Sequence, residues 1–526
     1  MSKKFQITGT CIPEKHYMVH MKSQIQKIVS EYIEEGQYFS INRARQYGKT
    51  TTLYLLERYL KKEYLVISFS FEAADELFCS LYIFASGLIR NIGKDLKMQN
   101  VSEELLQNWL KPISPEFPFH DLSDRITDLC SNSPRKIILM IDEVDKSSEN
   151  QIFLSFLGLL REKYLKQQQS KDVTFQSVIL AGVYDIKNLK LKLHPGEEAK
   201  YNSPWNIAAD FNIDMSFSPS DICEMLSEYE ADWHTGMDII YISRLIYDYT
   251  SGYPYLVSGI CRLIDEAIAA PPDHSGIEPW SREGVAEAVR LMLRQPNTLF
   301  DDMIKHLAEY PDLAAVTRNI LFHGTEYSFN HYSTALNIGV MFGFLKERRG
   351  KTQIANRIFE MHLYQYFLSE ELIKTDIQTF PNAHENQFIK DGALNMDLVI
   401  KKFVEYYTDL YQEKDESFFE KQGRKMFLLY LRPIINGTGN FYVEAETRDE
   451  TQTDVIVDYL GKQYVIELKL WRGKKYNEAG EKQLIDYLNL YHLDKGYMLT
   501  FSFNKKKQTG IKEITIQGKR ILEAFV

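Results

Sequence analysis

Five short apolar runs, YFSINRA (38–44), YLVISFSF (64–71), KIILMIDE (136–143), SVILAG (177–182) and FNIDMSF (211–217), alternate with helix-period segments in the first 217 residues. A strand that is apolar along its whole length has to be covered on both faces, as in a parallel sheet flanked by helices. The βα repeat therefore predicts a doubly wound α/β domain built on five strands.

The junction between the first run and its helix carries a phosphate-binding pattern. The stretch SINRARQYGKTTTLYLL (40–56) ends its loop in Gly48, Lys49 and Thr50, and a helix pattern follows at once. At such a junction the backbone N–H groups point outward and donate to an anion. Gly48 lets the chain approach the phosphates of ATP, Lys49 reaches the β- and γ-phosphates, and the Thr50 hydroxyl ligates Mg²⁺. Arg43 stands where the first glycine of the usual loop belongs. A lysine and a threonine opening an ordinary helix would give the same letters, so a partner motif is needed. IILMIDEVDK supplies it, ending a buried strand in Asp142 and Glu143. Asp142 is expected to hold Mg²⁺ through water, and Glu143 to polarise the attacking water. Further along, TSGYPYLVSGICRLID (250–265) places the Gly252–Pro254 turn before a helix bearing Arg262. In ATPases with a helical lid such a turn borders the adenine and such an arginine reaches the γ-phosphate. A plain helix start with a surface arginine fits equally well. Arg161, in LLREKY, is a second arginine that could enter a neighbouring subunit's site.

At 526 residues the chain exceeds what one core supports, and roughly three or four domains are expected. Hydrophobic residues at 44% and charged residues at 25% are ordinary globular values and argue against disorder. Nowhere do eighteen consecutive apolar residues occur, and the start MSKKFQITGTCIPEKHY lacks an apolar run, so neither a membrane span nor a secretory signal is expected. Five scattered cysteines without a C-x-x-C pair point to reduced thiols and a cytoplasmic location. A net charge of −10 argues against general coating of nucleic acid but leaves room for a local basic groove.

The middle of the chain is helical, opening on SPSDICEML, in which Ser218 or Ser220 can cap. ALNIGVMFGFLKERRGKTQIANRIFEMHLYQYFL (335–368) reads as helix, strand, basic turn, strand, helix, the outline of a winged helix. Its wing would present Lys346, Arg348, Arg349 and Lys351 to phosphates, or would be a solvated turn.

The run TQTDVIVDYLGKQYVIELKLW (451–471) alternates on both sides of a Tyr459–Lys462 turn. Centring the hairpin between Leu460 and Gly461 sets Asp454 directly opposite Glu467, with Lys469 on the same face. Val455, Val457, Ile466, Leu468 and Leu470 form the other, apolar face, which must be core. Two opposed carboxylates suit Mg²⁺ or Mn²⁺. Lys469 would position or deprotonate a metal-bound water, or neutralise developing charge. A solvated face with a cross-strand ion pair is the plain alternative. Glu444 and Glu446 precede the hairpin, and Gln483 and Tyr487 share one face of the helix that follows. Lys505, Lys506, Lys507, Lys512, Lys519 and Arg520 near the C-terminus could track a nucleic-acid backbone.

Four segments, YFSINRARQYGKTTTLYLL, ILMIDEVDK, SPWNIAADFNIDMSFSP and TSGYPYLVSGICRLID, together resemble the bacterial AAA-ATPase-like family often fused to a C-terminal nuclease domain. The resemblance covers about the first half of the chain. It implies an arginine-rich loop in place of the first glycine, which Arg43 and Arg45 fit, and nucleotide contacts from Gly48, Lys49, Thr50, Thr51, Asp142, Pro254 and Arg262. Residues from about 415 to 526 resemble the PD-(D/E)xK nuclease superfamily. That resemblance maps Asp454, Glu467 and Lys469 onto the metal-and-water triad and Gln483 onto an accessory helix position, and leaves Glu416 and Glu420 both open for the first-helix acid. The organisation expected is a P-loop core over 1–217, a helical lid over 218–300, a winged helix over 301–375, a linker over 376–412 and an α/β restriction-endonuclease-like domain over 413–526. The activity expected is ATP hydrolysis coupled to metal-dependent cleavage of nucleic acid, DNA in preference to RNA, by a homo-oligomer. The alternative is a nucleotide-dependent switch that binds nucleic acid without cutting it.

Overall fold

The computed structural model describes residues 3–72, 74–147, 150–183, 204–269, 277–323, 325–374, 388–390, 393–410, 420–435, 439–446, 452–459, 462–471, 474–502 and 509–526. The chain divides into two compact units, residues 1–229 with 253–258 and 340–343, and residues 230–252 with 259–339 and 344–526. Among the described residues no helix is long and apolar enough to cross a membrane.

The first unit is built on a parallel α/β sheet. Its elements are β1 (Phe39–Asn42), α1 (Lys49–Leu60), β2 (Leu65–Ser70), α2 (Leu81–Met98), α3 (Pro118–Asn132), β3 (Ile137–Asp142), α4 (Gln151–Gln168) and β4 (Ser177–Gly182). The strands lie in the order β1-β4-β3-β2 and all pair in parallel. Every residue of β3 and β4 is buried, as continuous apolar runs require when both sheet faces are covered. Trp109 and Trp205 are enclosed, and each indole N–H finds an acceptor, Ile89 O and Ser40 Oγ, both at 2.8 Å.

The sheet has four strands where the sequence predicts five. Residues 211–217 are not a strand; the segment before them makes a single parallel bridge, Phe39 to Ala209. Ile213, Met215 and Phe217 are buried as a strand pattern demands. The backbone, however, is taken up by side chains: Asn212 N–H donates to Tyr32 Oη at 3.2 Å, and the Ile213 carbonyl accepts from Arg43 at 2.7 Å. Alternation of apolar residues records which side faces the core, not whether a neighbouring strand exists.

The second unit begins with α5 (Ile239–Thr250). From there the chain runs through α6 (Pro254–Leu263), whose first turns belong to the first unit, into α7 (Arg282–Arg294), α8 (Thr298–Glu309) and α9 (Pro311–His323). Next come β5 (Tyr327–Ser328), α10 (Thr334–Met341), β6 (Leu345–Arg348), β7 (Lys351–Ile354) and α11 (Arg357–Lys374). The three strands form an antiparallel sheet, β5-β7-β6, with Arg349 and Gly350 at positive φ in the β6–β7 turn. Lys346 does not join the turn residues on the surface: it is partly buried, its Nζ reaching Ser251 Oγ at 3.5 Å.

The stretch expected as a linker contains α12 (Met396–Leu410). Val399, Ile400, Phe403 and Tyr407 recur at helical spacing and are all buried, which explains why it folds onto its neighbours. Residues 375–387 lie outside the described part. Then follow α13 (Glu420–Ile435), β8 (Gly439–Glu446), β9 (Gln452–Tyr459), β10 (Lys462–Leu470), α14 (Lys474–Leu490), β11 (Lys495–Phe501), β12 (Gly510–Ile516) and β13 (Lys519–Phe525). They form a six-stranded mixed sheet in the order β8-β9-β10-β11-β13-β12. Helix α14 lies on one face, where Gly480 packs against Lys469 and Met498. Helices α12 and α13 cover the other, where Phe403, Tyr407 and Gly423 pack on Phe501.

Candidate functional site

The loop between β1 and α1 turns twice through the left-handed region, at Gln46 (φ 56°) and Gly48 (φ 81°). Such turns point successive N–H groups into one concavity. Pro254 borders Gly48, 4.0 Å from where a Cβ would stand. Lys49 is 7% exposed, and its ammonium donates to the carbonyls of Arg43 and Ala44, both at 3.0 Å. Burial holds the Lys49 pKa below the usual lysine range, against the opposing pull of Asp145, Glu143 and Asp142. Thr50 Oγ1 donates to Asp142 Oδ2 at 2.7 Å, joining the first turn of α1 to the end of β3. Strand β4 lies between β1 and β3, so the loop and Asp142 emerge on either side of it at the same sheet edge.

Glu143 follows Asp142 at φ 54°, and desolvation together with the Asp142 charge raises its pKa. Asp145, which sequence reasoning missed, accepts from the Val183 N–H at 2.6 Å and ties this acidic turn to the end of β4. Thr51 accepts from the Cys11 N–H at 3.1 Å, so an N-terminal segment is laid across α1. Arg58 adds a forked contact to Glu14 from the same segment, with N···O distances of 2.9 and 2.6 Å. Neither contact had a sequence signal, because both join the helix to a segment without periodicity.

The two loop arginines differ. Arg45 is exposed. The Arg43 guanidinium donates to the Asn42 and Ile213 carbonyls at 2.8 and 2.7 Å and lies 5.2 Å over the Phe211 ring. It braces residues 211–213 against β1, a structural use that the expectation of a nucleotide contact did not include. Tyr253 Oη donates to the Arg45 carbonyl at 2.6 Å, and its ring meets Tyr47 edge-on at 4.7 Å. Arg262, on α6, stands 3.7 Å from Glu266. Arg161 is a half-buried residue of α4.

The residues at the loop fit an ATP–Mg²⁺ complex: a concavity of N–H groups, a buried ammonium, and a hydroxyl beside a carboxylate. Thr50 and Asp142 would hold the ion, which on binding would neutralise phosphate charge.

The second candidate site lies on the six-stranded sheet. The β9–β10 pairing runs from Val455 with Ile466 to Tyr459 with Lys462, the register read from the sequence. Asp454 lies on β9, one position before the last paired residue, and its side chain is outside the described residues. The side chains of Glu420, Glu444 and Glu446, and residues Glu416 and Lys505 to Lys507, are outside them too.

Glu467 departs from expectation. It was placed on a non-core face, yet it is 0% exposed, because α14 covers the face it shares with Lys469 and Met498. Lys469 Nζ lies 2.7 Å from Glu467 Oε1. Register carries the row onward, Glu467 to Met498, Met498 to Glu523, and Glu523 to Lys512. Glu523 is also fully enclosed, ion-paired to Lys512 at 2.6 Å. Asn477 on α14 donates to Glu523 and to Glu481, each at 3.0 Å. Burial and the neighbouring Glu523 raise the Glu481 pKa. Gln483 is partly buried and Tyr487 fully so on the same helix. Lys519 and Arg520 pair with Asp494 and Glu513. Among the described residues no three His, Cys, Asp or Glu side chains converge on a metal position.

Residues 9–267 match the family described as AAA-like domain. The match spans the whole first sheet, the phosphate loop and the turn at Tyr253 and Pro254. Solved structures that the chain matches include a Walker-type ATPase of Pyrococcus abyssi, 13% identical with a TM-score of 0.44, covering 68% of this chain and 99% of that one. The ORC1 protein of Aeropyrum pernix in complex with DNA is 14% identical, TM-score 0.29, covering 68% and 94%. The RuvB Holliday junction branch migration motor of Thermotoga maritima is 11% identical, TM-score 0.32, covering 63% and 91%. No curated protein matches the sequence.

Proposed function

We propose that the AAA-like domain binds and hydrolyses ATP with Mg²⁺ at the Lys49–Asp142 site, and that this cycle controls a divalent-metal-dependent nuclease centred on β9 and β10. The observation that carries the first half is the 2.7 Å contact from Thr50 to Asp142 beside the buried Lys49, which joins the two halves of a phosphate-and-metal cradle. In that role Glu143, held ionised less readily than an exposed glutamate, accepts a proton from the attacking water. The second half is supported by the hairpin register: continued one residue beyond the Val455–Ile466 pair, it puts position 454 opposite Glu467, whose ion-pair partner is Lys469. Asp454 and Glu467 would hold Mg²⁺ or Mn²⁺, and the lysine would orient the hydrolytic water. Nucleic acid, DNA ahead of RNA, is the substrate proposed, and ATP-bound chains assemble as a homo-oligomer.

One observation favours a second reading, a nucleotide-dependent switch that binds nucleic acid without cutting it. Glu467 is wholly enclosed and already paired with Lys469, which is what a structural ion pair would look like. Cleavage assays on single-stranded and duplex substrates with Mg²⁺ or Mn²⁺, with and without ATP, separate the two. Cutting that disappears in Asp454→Ala supports the nuclease; binding with no cutting under any of these conditions supports the switch.

A further inference from the structure

The last turn of helix α5 carries Tyr249, which is 2% exposed. Its hydroxyl donates to Asp458 Oδ2 at 3.3 Å, across 209 residues of sequence. Asp458 stands beside the β9–β10 turn, also buried, and accepts from Gln463, its register partner, at 3.4 Å. Arg357, which opens α11, lies 5.3 Å over the Tyr249 ring and donates to Tyr491 Oη, just beyond α14, at 3.2 Å. Helix α5 and the hairpin thus meet at one enclosed carboxylate, with Arg357 of α11 stacked on the tyrosine that reaches it. A buried carboxylate is tolerated only where donors and cations surround it, so this contact resists being pulled apart.

From Tyr249 the chain passes Thr250 and then Ser251 and Gly252, both at positive φ (47° and 73°), to Tyr253 and Pro254 of the first unit. Those two residues sit on the phosphate loop, at the Arg45 carbonyl and at Gly48. Three residues therefore separate a tyrosine anchored on the loop from a tyrosine anchored on the hairpin. A second segment does the same. Gly343, at φ 79°, approaches the loop so closely that a Cβ there would come within 2.5 Å of the Ala44 Cβ. Lys346, three residues later, reaches back to Ser251.

We propose that this connection transmits the nucleotide state of the loop to the β9–β10 hairpin, through Tyr253, Tyr249 and Asp458. It rests on the ATP reading of the loop. Lys49 now holds the Arg43 and Ala44 carbonyls, and a phosphate would draw it away from them. The next carbonyl, Arg45, is the one Tyr253 grips, so the loop's rearrangement is passed to the start of α6 and back along the chain to α5. ATP acts on the hairpin to the extent that it favours one of the two loop arrangements.

The test is hydrogen–deuterium exchange of residues 452–470 in the full chain, with and without ATP–Mg²⁺, beside equilibrium dialysis with labelled ATP. In the wild type ATP changes hairpin exchange by about fivefold or more, the lower end of known site-to-site couplings. Tyr249→Phe, which removes one hydroxyl, still binds ATP but loses most of that response, and Asp458→Ala behaves alike. ATP bound by the wild type without any change in the hairpin overturns the proposal, as does a full response in folded Tyr249→Phe. A wild type that binds no ATP is a different result and overturns the loop reading together with the proposal.

Discussion

Lys469 Nζ lies 2.7 Å from Oε1 of Glu467, two positions away on the same strand, and the glutamate is fully shut off from solvent. An exposed pair of this kind is worth roughly 0–1 kcal/mol. An enclosed carboxylate that loses its cation is left with its desolvation uncompensated, which costs about 3–5 kcal/mol.

Lys469→Ala should therefore destabilise the chain by several kcal/mol, measured by urea unfolding of the second unit's transition. Lys469→Met with Glu467→Gln should cost less than Lys469→Met alone, because the double variant leaves no orphan charge. Equal and additive small losses would mean the pair is solvated.

At the loop, Lys49→Ala should abolish ATP binding and with it any ATP-induced rise in Tm. Glu143→Gln should retain binding and slow hydrolysis roughly 10²–10⁴-fold, the usual worth of a positioned base. Direct titration with labelled nucleotide and a phosphate-release assay check the two effects separately.

Glu143 also sets a pH dependence. Its folded pKa is raised by desolvation and by Asp142, so the folded state binds its proton more readily than the unfolded state does. Stability from this group is present below the ordinary glutamate range and lost as pH rises through the folded value. Glu143→Gln should accordingly raise Tm at neutral pH, read by calorimetry without nucleotide. A lower Tm would show that the carboxylate is stabilising there.

His362 works in the opposite direction. Stacked on Phe300 at 4.1 Å between ring centres, it is desolvated, and its pKa falls to about 4. Between that value and about 6.5 the unfolded chain binds the proton and the folded chain does not, so stability falls as pH is lowered through this window. Roughly 2 kcal/mol should be lost between about pH 7 and pH 5. In His362→Phe that part of the pH slope should vanish, as denaturant titrations at the two pH values would register.

Much of the molecule was legible because its signals are local. Continuous apolar runs located β1 to β4, G-K-T fell at the start of α1 and I-D-E at the end of β3, and alternation about the Tyr459–Lys462 turn set the observed hairpin register. The helix Met396–Leu410 was missed although its apolar period is clear, because flanking loop-like residues dominated the reading. Other features needed the tertiary structure. Residues 211–217 alternate like a strand yet have Arg43 where a ladder partner would be. Glu467 was assigned to an open face since nothing near it in sequence announces that α14 closes over it. Tyr249 and Asp458 meet across 209 residues. Periodicity reports the side of an element that must be buried; which element buries it, and which charge it thereby encloses, is fixed only when distant segments pack together.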